Sequence, residues 1–538
     1  MLIGYVSDEM YSAIPDVLLE FHNGTESYEA RSRASGAVHV DIPTGQYEVF
    51  LQRTGYGAKR VRMTIDPNRP CQFRLLSDRL VGYVWPKWVR VGDVGEVRIH
   101  SPETYTLDLW RYGWEKELAH HVGRFENHPY GATRQVLPDG DFTQTGVGWN
   151  HFGYADPPTD NRRLVKAPQL SGLYYFHART ASGVFFSFPW IIAPARRCAD
   201  IAILASNITW HTYNDYGGRS NYISAVHLPP APSVNPHQEQ IWFRQTGADY
   251  WVAEDYDPLS FDRPEPLNLV EENERITDVI ARIGAEHVAP AEWRLLGWLE
   301  REGFAYDLYA ETQLHASLLN LDDYRVLILS THPEYWSKEM YERVKSWVFE
   351  RGGRLMYLGG NGINCSVDFL DDSSVIVRNG DCSEFAKQRK LQGYAAKLPS
   401  RFGMKVEEES HLLGVVTTLT GMGTGAPYRV LDASHWVFDG SGLKNGDLVG
   451  EKSLDMRNPG GASGHETDKM SPQSPSNTKL LAKGINPDGG GGEMVYFETP
   501  SGGCVFSVGS ISFTCSIAID DSISRITANV LHRFLNKL

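Results

Sequence analysis

Four short, mostly apolar runs constrain this chain more than any other feature: Ile201–Ser206 (IAILAS), Tyr306–Ala310 (YDLYA), Arg325–Ser330 (RVLILS) and Arg354–Gly359 (RLMYLG). Each is too short for a stable helix, and the lack of alternation marks strands covered on both faces. Helix-period segments stand between them. Ala291–Gly303 (AEWRLLGWLEREG) closes on a glycine, as does Lys338–Gly353 (KEMYERVKSWVFERGG). Strands alternating with helices predict βαβ units around a mainly parallel sheet. In such a sheet the loops leaving the strand carboxyl ends converge on one crevice, where ligands bind.

Three of those loops carry chemistry. After RVLILS comes THPEYWS (Thr331–Ser337), which places His332, Glu334, Tyr335 and Trp336 around the rigid Pro333. After IAILAS comes NITWHTYNDYGGRSNYIS, with Trp210, His211, Tyr213, Asn214, Tyr216 and Tyr222 about a Gly217–Gly218 turn. After RLMYLG comes GGNGINC, which offers Asn361 and Cys365. Four readings compete. A Ser or Cys nucleophile needs an elbow such as G-x-S-x-G directly after a strand, and RVLILS is followed by none. Zinc held by histidines would draw on His211, His227, His237 and His332, but no H-E-x-x-H or H-x-H spacing occurs in this region. Packing and hydrogen bonding under a loop account for any one tyrosine taken singly. The fourth reading is a hard-metal site of phenolates and a carboxylate. Tyrosine ionises near pH ~10, so a strongly acidic cation such as ferric iron is needed to hold it as phenolate. Two phenolates and one carboxylate would neutralise Fe(III) and leave positions open for water and substrate.

Upstream the texture is different. Residues 1–80 alternate strand-like pieces with turns and resemble a transthyretin-like or carboxypeptidase-regulatory-like β-sandwich. Residues 81–196 predict a second β-sandwich-like domain ending in a hairpin around Thr180–Gly183, and residues 197–538 the α/β domain. Within the last, the polar, Gly-rich stretch 430–495 predicts long surface loops or a lid. The formal net charge of -14 argues against a nucleic-acid partner. No run approaches the roughly 18 apolar residues of a membrane span, and MLIGYVSDEMYS reads as a strand rather than a secretory signal. Six cysteines (Cys71, Cys198, Cys365, Cys382, Cys504, Cys515) without CxxC pairing predict reduced thiols in a cytoplasmic protein.

Five motifs occur in one order: TYNDYGGRSNY (Thr212–Tyr222), SFDRP (Ser260–Pro264), WLEREG (Trp298–Gly303), HPEYWSKEM (His332–Met340) and LMYLGGNG (Leu355–Gly362). Together they resemble the large (β) subunit of N,N-dimethylformamidase and its relatives, over roughly residues 198–538. The resemblance implies a glutamine-amidotransferase-like α/β domain that hydrolyses the C–N bond of a small amide, such as N,N-dimethylformamide, at a mononuclear Fe(III). It implies Tyr213, Tyr222 and Glu334 as metal ligands. It implies His332 as the base that takes a proton from water and gives it to the leaving amine, or as a residue orienting Glu334, and Asn361 as a donor to the oxyanion. A homo-oligomer and a small partner subunit are further implications. Two departures leave the amide itself open. Eight residues separate Tyr213 from Tyr222, where dimethylformamidase has a long insertion, and GGNGINC lacks the aromatic pair that often follows Gly-Gly-Asn-Gly. The alternatives are a zinc amidohydrolase and a carbohydrate-binding protein with a degenerate amidotransferase-like domain.

Overall fold

Residues 2–74 form two facing sheets in the computed structural model, which describes residues 1–126, 137–147, 149, 163–221, 228–235, 256–280, 284–378, 401–418, 420 and 423–536. One sheet runs Ser27–Arg31, Leu18–His22, Gly45–Gln52, Lys59–Ile65; the other runs Ala37–His39, Leu2–Ser7, Cys71–Arg74. Every second residue points inward, so Leu19, Phe21, Val49 and Leu51 close a core with Ile3, Val6 and Phe73. The next strands repeat the arrangement. A five-stranded sheet (Lys116–Phe125, Tyr105–Tyr112, Gly172–Thr180, Phe185–Ala193, Trp88–Arg90) faces a three-stranded one (Arg163–Lys166, Val94–His100, Val81–Trp85). The expected hairpin is present, pairing Gly172 with Ile192 through Arg179 with Phe185. Its strands show little alternation because both faces are covered: Phe176 and Phe188 pack inside the β-layers, while Tyr175 and Ile191 pack on the larger core beyond.

The largest sheet has nine strands in the order Tyr306–Ala310, Ile201–Ala205, Val326–Thr331, Arg354–Gly359, Cys504–Ser507, Glu493–Glu498, Lys479–Gly484, Tyr428–Val430, Leu448–Val449. The first five are mutually parallel. The other four pair antiparallel, so the sheet is parallel in one half only, not mainly parallel as expected. The reason is chain length. Five residues join Glu498 to Cys504, enough for a hairpin but not for a crossover helix.

The parallel half explains the continuous apolar runs. Ile201, Ile203 and Ala205 face one layer, and Ala202 and Leu204 the other. Helices Ala289–Arg301 and Asp521–Phe534 cover the first layer, and Lys338–Arg351 the second. Ala289–Arg301 is buried almost all round because the five-stranded sheet closes over its outer face, with Trp293 against Tyr112. Lys338–Arg351 starts on a Ser337 cap and stops at left-handed Gly352.

The stretch 430–495 meets its expectation in part: 439–447 and 471–478 are exposed or half-buried loop, but much of the rest is not. It supplies three strands to the nine-stranded sheet, and Ser463–Asp468 lies inside the protein. Its polarity is satisfied internally: Ser510 Oγ, for example, accepts Gly464 N–H (2.8 Å) and donates to the Ala462 carbonyl (2.9 Å). Among the described residues no helix is long and apolar enough to cross a membrane. The five described cysteines are free, and Cys382 lies outside the described residues.

Candidate active site

The strand Val326–Thr331 lies between Ile201–Ala205 and Arg354–Gly359 and ends in a sharply bent chain. Thr331 is left-handed, and His332-Pro333-Glu334 then turns back so that Glu334 N–H reaches the His332 carbonyl at 2.9 Å. The turn is fastened to the neighbouring loop. Ile363 N–H donates to the Pro333 carbonyl (2.7 Å) and Cys365 N–H to the Glu334 carbonyl (3.0 Å). Asn361, Ile363 and His465 are also left-handed, conformations that cost non-glycine residues ~1–3 kcal/mol. Four such residues stand at the carboxyl ends of these strands and on the loop that meets them. Gly360 permits a close approach there, since a Cβ would meet the Glu466 carbonyl oxygen at 2.4 Å.

The side chains brought together are few: His332, Glu334 and Asn361 are buried, and Tyr213 and Glu466 are half-buried. His332 Nε2 stands 3.1 Å from Glu334 Oε2 and 3.1 Å from Glu466 Oε2. Tyr213 Oη donates to Glu334 Oε2 at 3.0 Å from the end of the Asn207–Tyr213 helix. Asn361 Nδ2 donates to Glu466 Oε2 (2.7 Å) and lies 3.2 Å from His332 Nε2. Asn364 Nδ2 donates to Asn361 Oδ1 (2.6 Å), which fixes the amide with its NH2 toward the site. Behind His332, its Nδ1 meets His287 Nδ1 at 2.9 Å. Beneath Asn361, Asp468 accepts the Asn361 N–H (3.0 Å) and the Tyr357 hydroxyl (2.7 Å).

The electrostatics follow from burial and pairing. Burial works against charge on His332, but hydrogen bonds to Glu334 and Glu466 outweigh it and raise its pKa. Burial likewise opposes the Glu466 carboxylate, and the His332 contact overcomes it and lowers that pKa. Burial, then the charges of His332 and His465, hold His287 well below the usual histidine range, so it is neutral. His332 is therefore the donor in the Nδ1–Nδ1 bond. Burial lifts the Asp468 carboxyl to about 7. Two acidic side chains around one imidazole in a largely buried place suit a bound cation.

His332, Glu334 and Glu466 offer ligand atoms within 4.8 Å of one another and form the candidate metal group among the described residues. The structure thus brings together Tyr213, His332, Glu334 and Asn361. Tyr222 lies outside the described residues, as do His227 and His237. His211 is buried and stacked on Phe261 at 4.0 Å, which accounts for it as packing. Tyr335 and Trp336 are fully buried, with Trp336 Nε1 donating to Glu311. Arg263 of SFDRP donates to the carbonyls of Tyr216 (2.7 Å) and Arg219 (3.2 Å) and so holds the loop that follows Tyr213. Sequence reasoning missed Glu466 and His287. The signal for Glu466 was HETD (His465–Asp468), which sat inside a stretch read as surface loop.

The sequence model of the family described as N,N-dimethylformamidase beta subunit-like, C-terminal, matches residues 106–527. The N,N-dimethylformamidase beta subunit of Paracoccus aminophilus is 25% identical over 410 residues, 64% of this chain and 50% of that one. That of an Alcaligenes species is 26% identical over 299 residues, 46% of this chain and 37% of that one. The chain therefore spans half or less of these relatives' length. Among solved structures, a cold-adapted β-galactosidase from Rahnella sp. R3 is similar at 12% identity over 46% of this chain and 27% of that one. Its TM-score of 0.26 is too low to carry an argument.

Proposed function

The chain belongs to the N,N-dimethylformamidase beta subunit-like family, and from that premise we propose that it is a metal-dependent amidohydrolase cleaving the C–N bond of a small N-substituted amide. One observation carries the reading: Tyr213, His332, Glu334, Asn361 and Glu466 meet at the carboxyl ends of the parallel strands. The donor set suits a hard cation. Tyr213 Oη and Glu334 Oε2 stand 3.0 Å apart, and both would offer oxygen to such an ion. We assign Tyr213 and Glu334 to the metal, with Tyr222 as the third ligand and iron as the ion.

Ferric iron so held supplies Lewis acidity to an amide carbonyl and acidifies nearby water. The chain's own residues supply the rest. With a cation held beside it, His332 would give up the Nε2 proton and keep Nδ1–H on His287, so that Nε2 would be free to take the proton of a water lying against Glu334 and return it to the leaving amine. Glu466 offsets the charge that His332 carries. With a proton on Nε2, the 3.2 Å approach of Asn361 Nδ2 sets donor against donor, which turns the second Asn361 N–H toward the developing oxyanion.

A zinc reading has one observation in its favour, the His332–Glu334–Glu466 trio, because imidazole and carboxylate suit zinc without any phenolate. The architecture belongs to the same proposal. We read residues 1–80 and 81–196 as β-sandwich-like domains and 197–538 as an amidotransferase-like catalytic domain, although the family match begins at 106 and crosses the second boundary. The relatives' name, beta subunit, supports a partner chain for this one as well.

Metal analysis of the purified protein, with amine release from a panel of formamides, acetamides and ureas, tests the function. Iron, a visible phenolate-to-metal band and release of amine are expected. Colourless, zinc-loaded, active protein selects the zinc reading. Metal-free protein that releases no amine and binds sugar would falsify both.

A further inference from the structure

A second cavity, of about 850 Å³, opens where the strand Trp88–Arg90 meets the helix Glu311–His315 and the hairpin Cys365–Asp371/Ser374–Arg378. Among the described residues, none of those placed at the candidate active site lines it. Its walls include half-buried Trp85, Trp88 and Phe369. The Phe369 ring is fixed by stacking on His315 at 3.9 Å. Its acidic groups are Asp93, Asp371 and Asp372.

Charge decides what such a cavity takes. Asp371 Oδ1 accepts Ser373 N–H and Ser373 Oγ–H, each at 2.7 Å, and Ser374 Oγ–H at 3.0 Å, which locks it as a carboxylate. None of the three aspartates has an ion-pair partner among the described residues. Lys87 also lines the cavity, but its ammonium is committed elsewhere, 2.7 Å from the Arg263 carbonyl and 3.3 Å from Glu265. Anions are therefore repelled. A neutral apolar guest would use the rings and leave the carboxylates idle. Indole and phenyl faces attract positive charge through their quadrupoles, and a rim of carboxylates adds to that attraction.

We infer that this cavity binds a small organic cation of the alkylammonium class, with its apolar substituents on Trp85, Trp88 and Phe369 and its charge toward the aspartates. Two lining residues connect it to the segments that carry the candidate active site. Asn207 begins the helix that ends in Tyr213, and His315 Nδ1 is 2.8 Å from Ser337 Oγ, three residues after Glu334.

Calorimetric titration of the full chain with choline, and with its neutral isostere 3,3-dimethylbutan-1-ol, tests this without any turnover, so its outcome is independent of the hydrolase reading. Choline is expected to bind saturably at millimolar concentration or below. The isostere should bind about fivefold more weakly or worse. Asp372→Asn, on an exposed turn, should weaken choline about fivefold at an unchanged unfolding temperature, and Trp88→Leu about tenfold. Added salt should weaken choline and leave the isostere alone. Equal binding of choline and isostere, no saturation by choline in folded protein, or preference for a neutral sugar over choline would each overturn the inference.

Discussion

His332 is gripped at both ring nitrogens, and that grip assigns its neighbours their roles. His287, neutral and buried, accepts from Nδ1, while two carboxylates compete for Nε2. Glu466→Gln removes one competitor and part of the charge that stabilises the imidazolium. Amide hydrolysis should fall ~100-fold, the scale of a mispositioned acid–base group, with iron retained as long as Tyr213 and Glu334 hold it. Steady-state kinetics and metal content on one preparation check both halves. Glu292 shows a different use of a buried acid. It accepts Ser206 N–H (3.0 Å) and Trp210 Nε1–H (2.8 Å), and burial pushes its carboxyl to about 8. A folded pKa above the ordinary 4.5 means the unfolded chain gives up its proton first as pH rises. The stability from the neutral acid is thus whole below about pH 4.5 and is lost by about pH 8, a change on the order of 5 kcal/mol. His332 slopes in the same direction, so the comparison with Glu292→Gln isolates Glu292. That variant keeps the acceptor, and its denaturant midpoint should fall less than the wild type's between about pH 5 and about pH 8.

At the scale of elements, the site is two turns and a helix end fastened by buried polar pairs. Trp336 follows Glu334 by two residues, and its Nε1 donates to Glu311 Oε1 at 2.8 Å with both groups buried. Trp336→Phe keeps the ring packing and strips Glu311 of that donor. The expected loss is about 1–3 kcal/mol, read as a lower denaturant midpoint, with iron content unchanged because no ligand moves. These elements differ in how readable they were. Val326–Thr331 and Lys338–Arg351 were plain from apolar continuity and from a helix-period run closed by glycine. The motif residues Tyr213, His332, Glu334 and Asn361 were legible as a convergent cluster because their place at a carboxyl end follows from topology. Glu466 was not, because nothing local distinguishes a Gly-rich loop in water from one folded inward. Its burial depends on Thr467 bridging Ser510 and on Ser510 N–H reaching the Gly359 carbonyl at 2.6 Å, contacts far apart in sequence. His287 was hidden for the same reason.

For the molecule as a whole, the N-terminal β-layers do more than precede the α/β part. The strand Gly172–Thr180 packs Tyr175 against the same core as Trp293, and Trp293 Nε1 donates to the Gly113 carbonyl at 2.7 Å. The helix Ala289–Arg301 is thereby clamped between layers, and the same helix carries Glu292 under the site. Sequence patterning gave the two kinds of layer but not this clamp, because Leu173, Tyr175 and Ile191 look like ordinary hairpin core until a partner surface exists. On the proposed function, the clamp would make metal binding a property of the global fold rather than of one loop. An ion that binds the native state alone stabilises it by RT ln(1 + [L]/Kd), ~4 kcal/mol at a thousandfold excess over Kd. Iron-stripped protein should therefore unfold at a lower temperature than the loaded form, in one transition that includes the β-layers. Readdition of ferric iron should restore the higher temperature in the wild type and do nothing for Glu334→Gln. Differential scanning calorimetry with near-ultraviolet circular dichroism makes the comparison. Restoration in both proteins would remove Glu334 from the ligand set, and an early separate transition confined to one part would show that the clamp does not couple the layers.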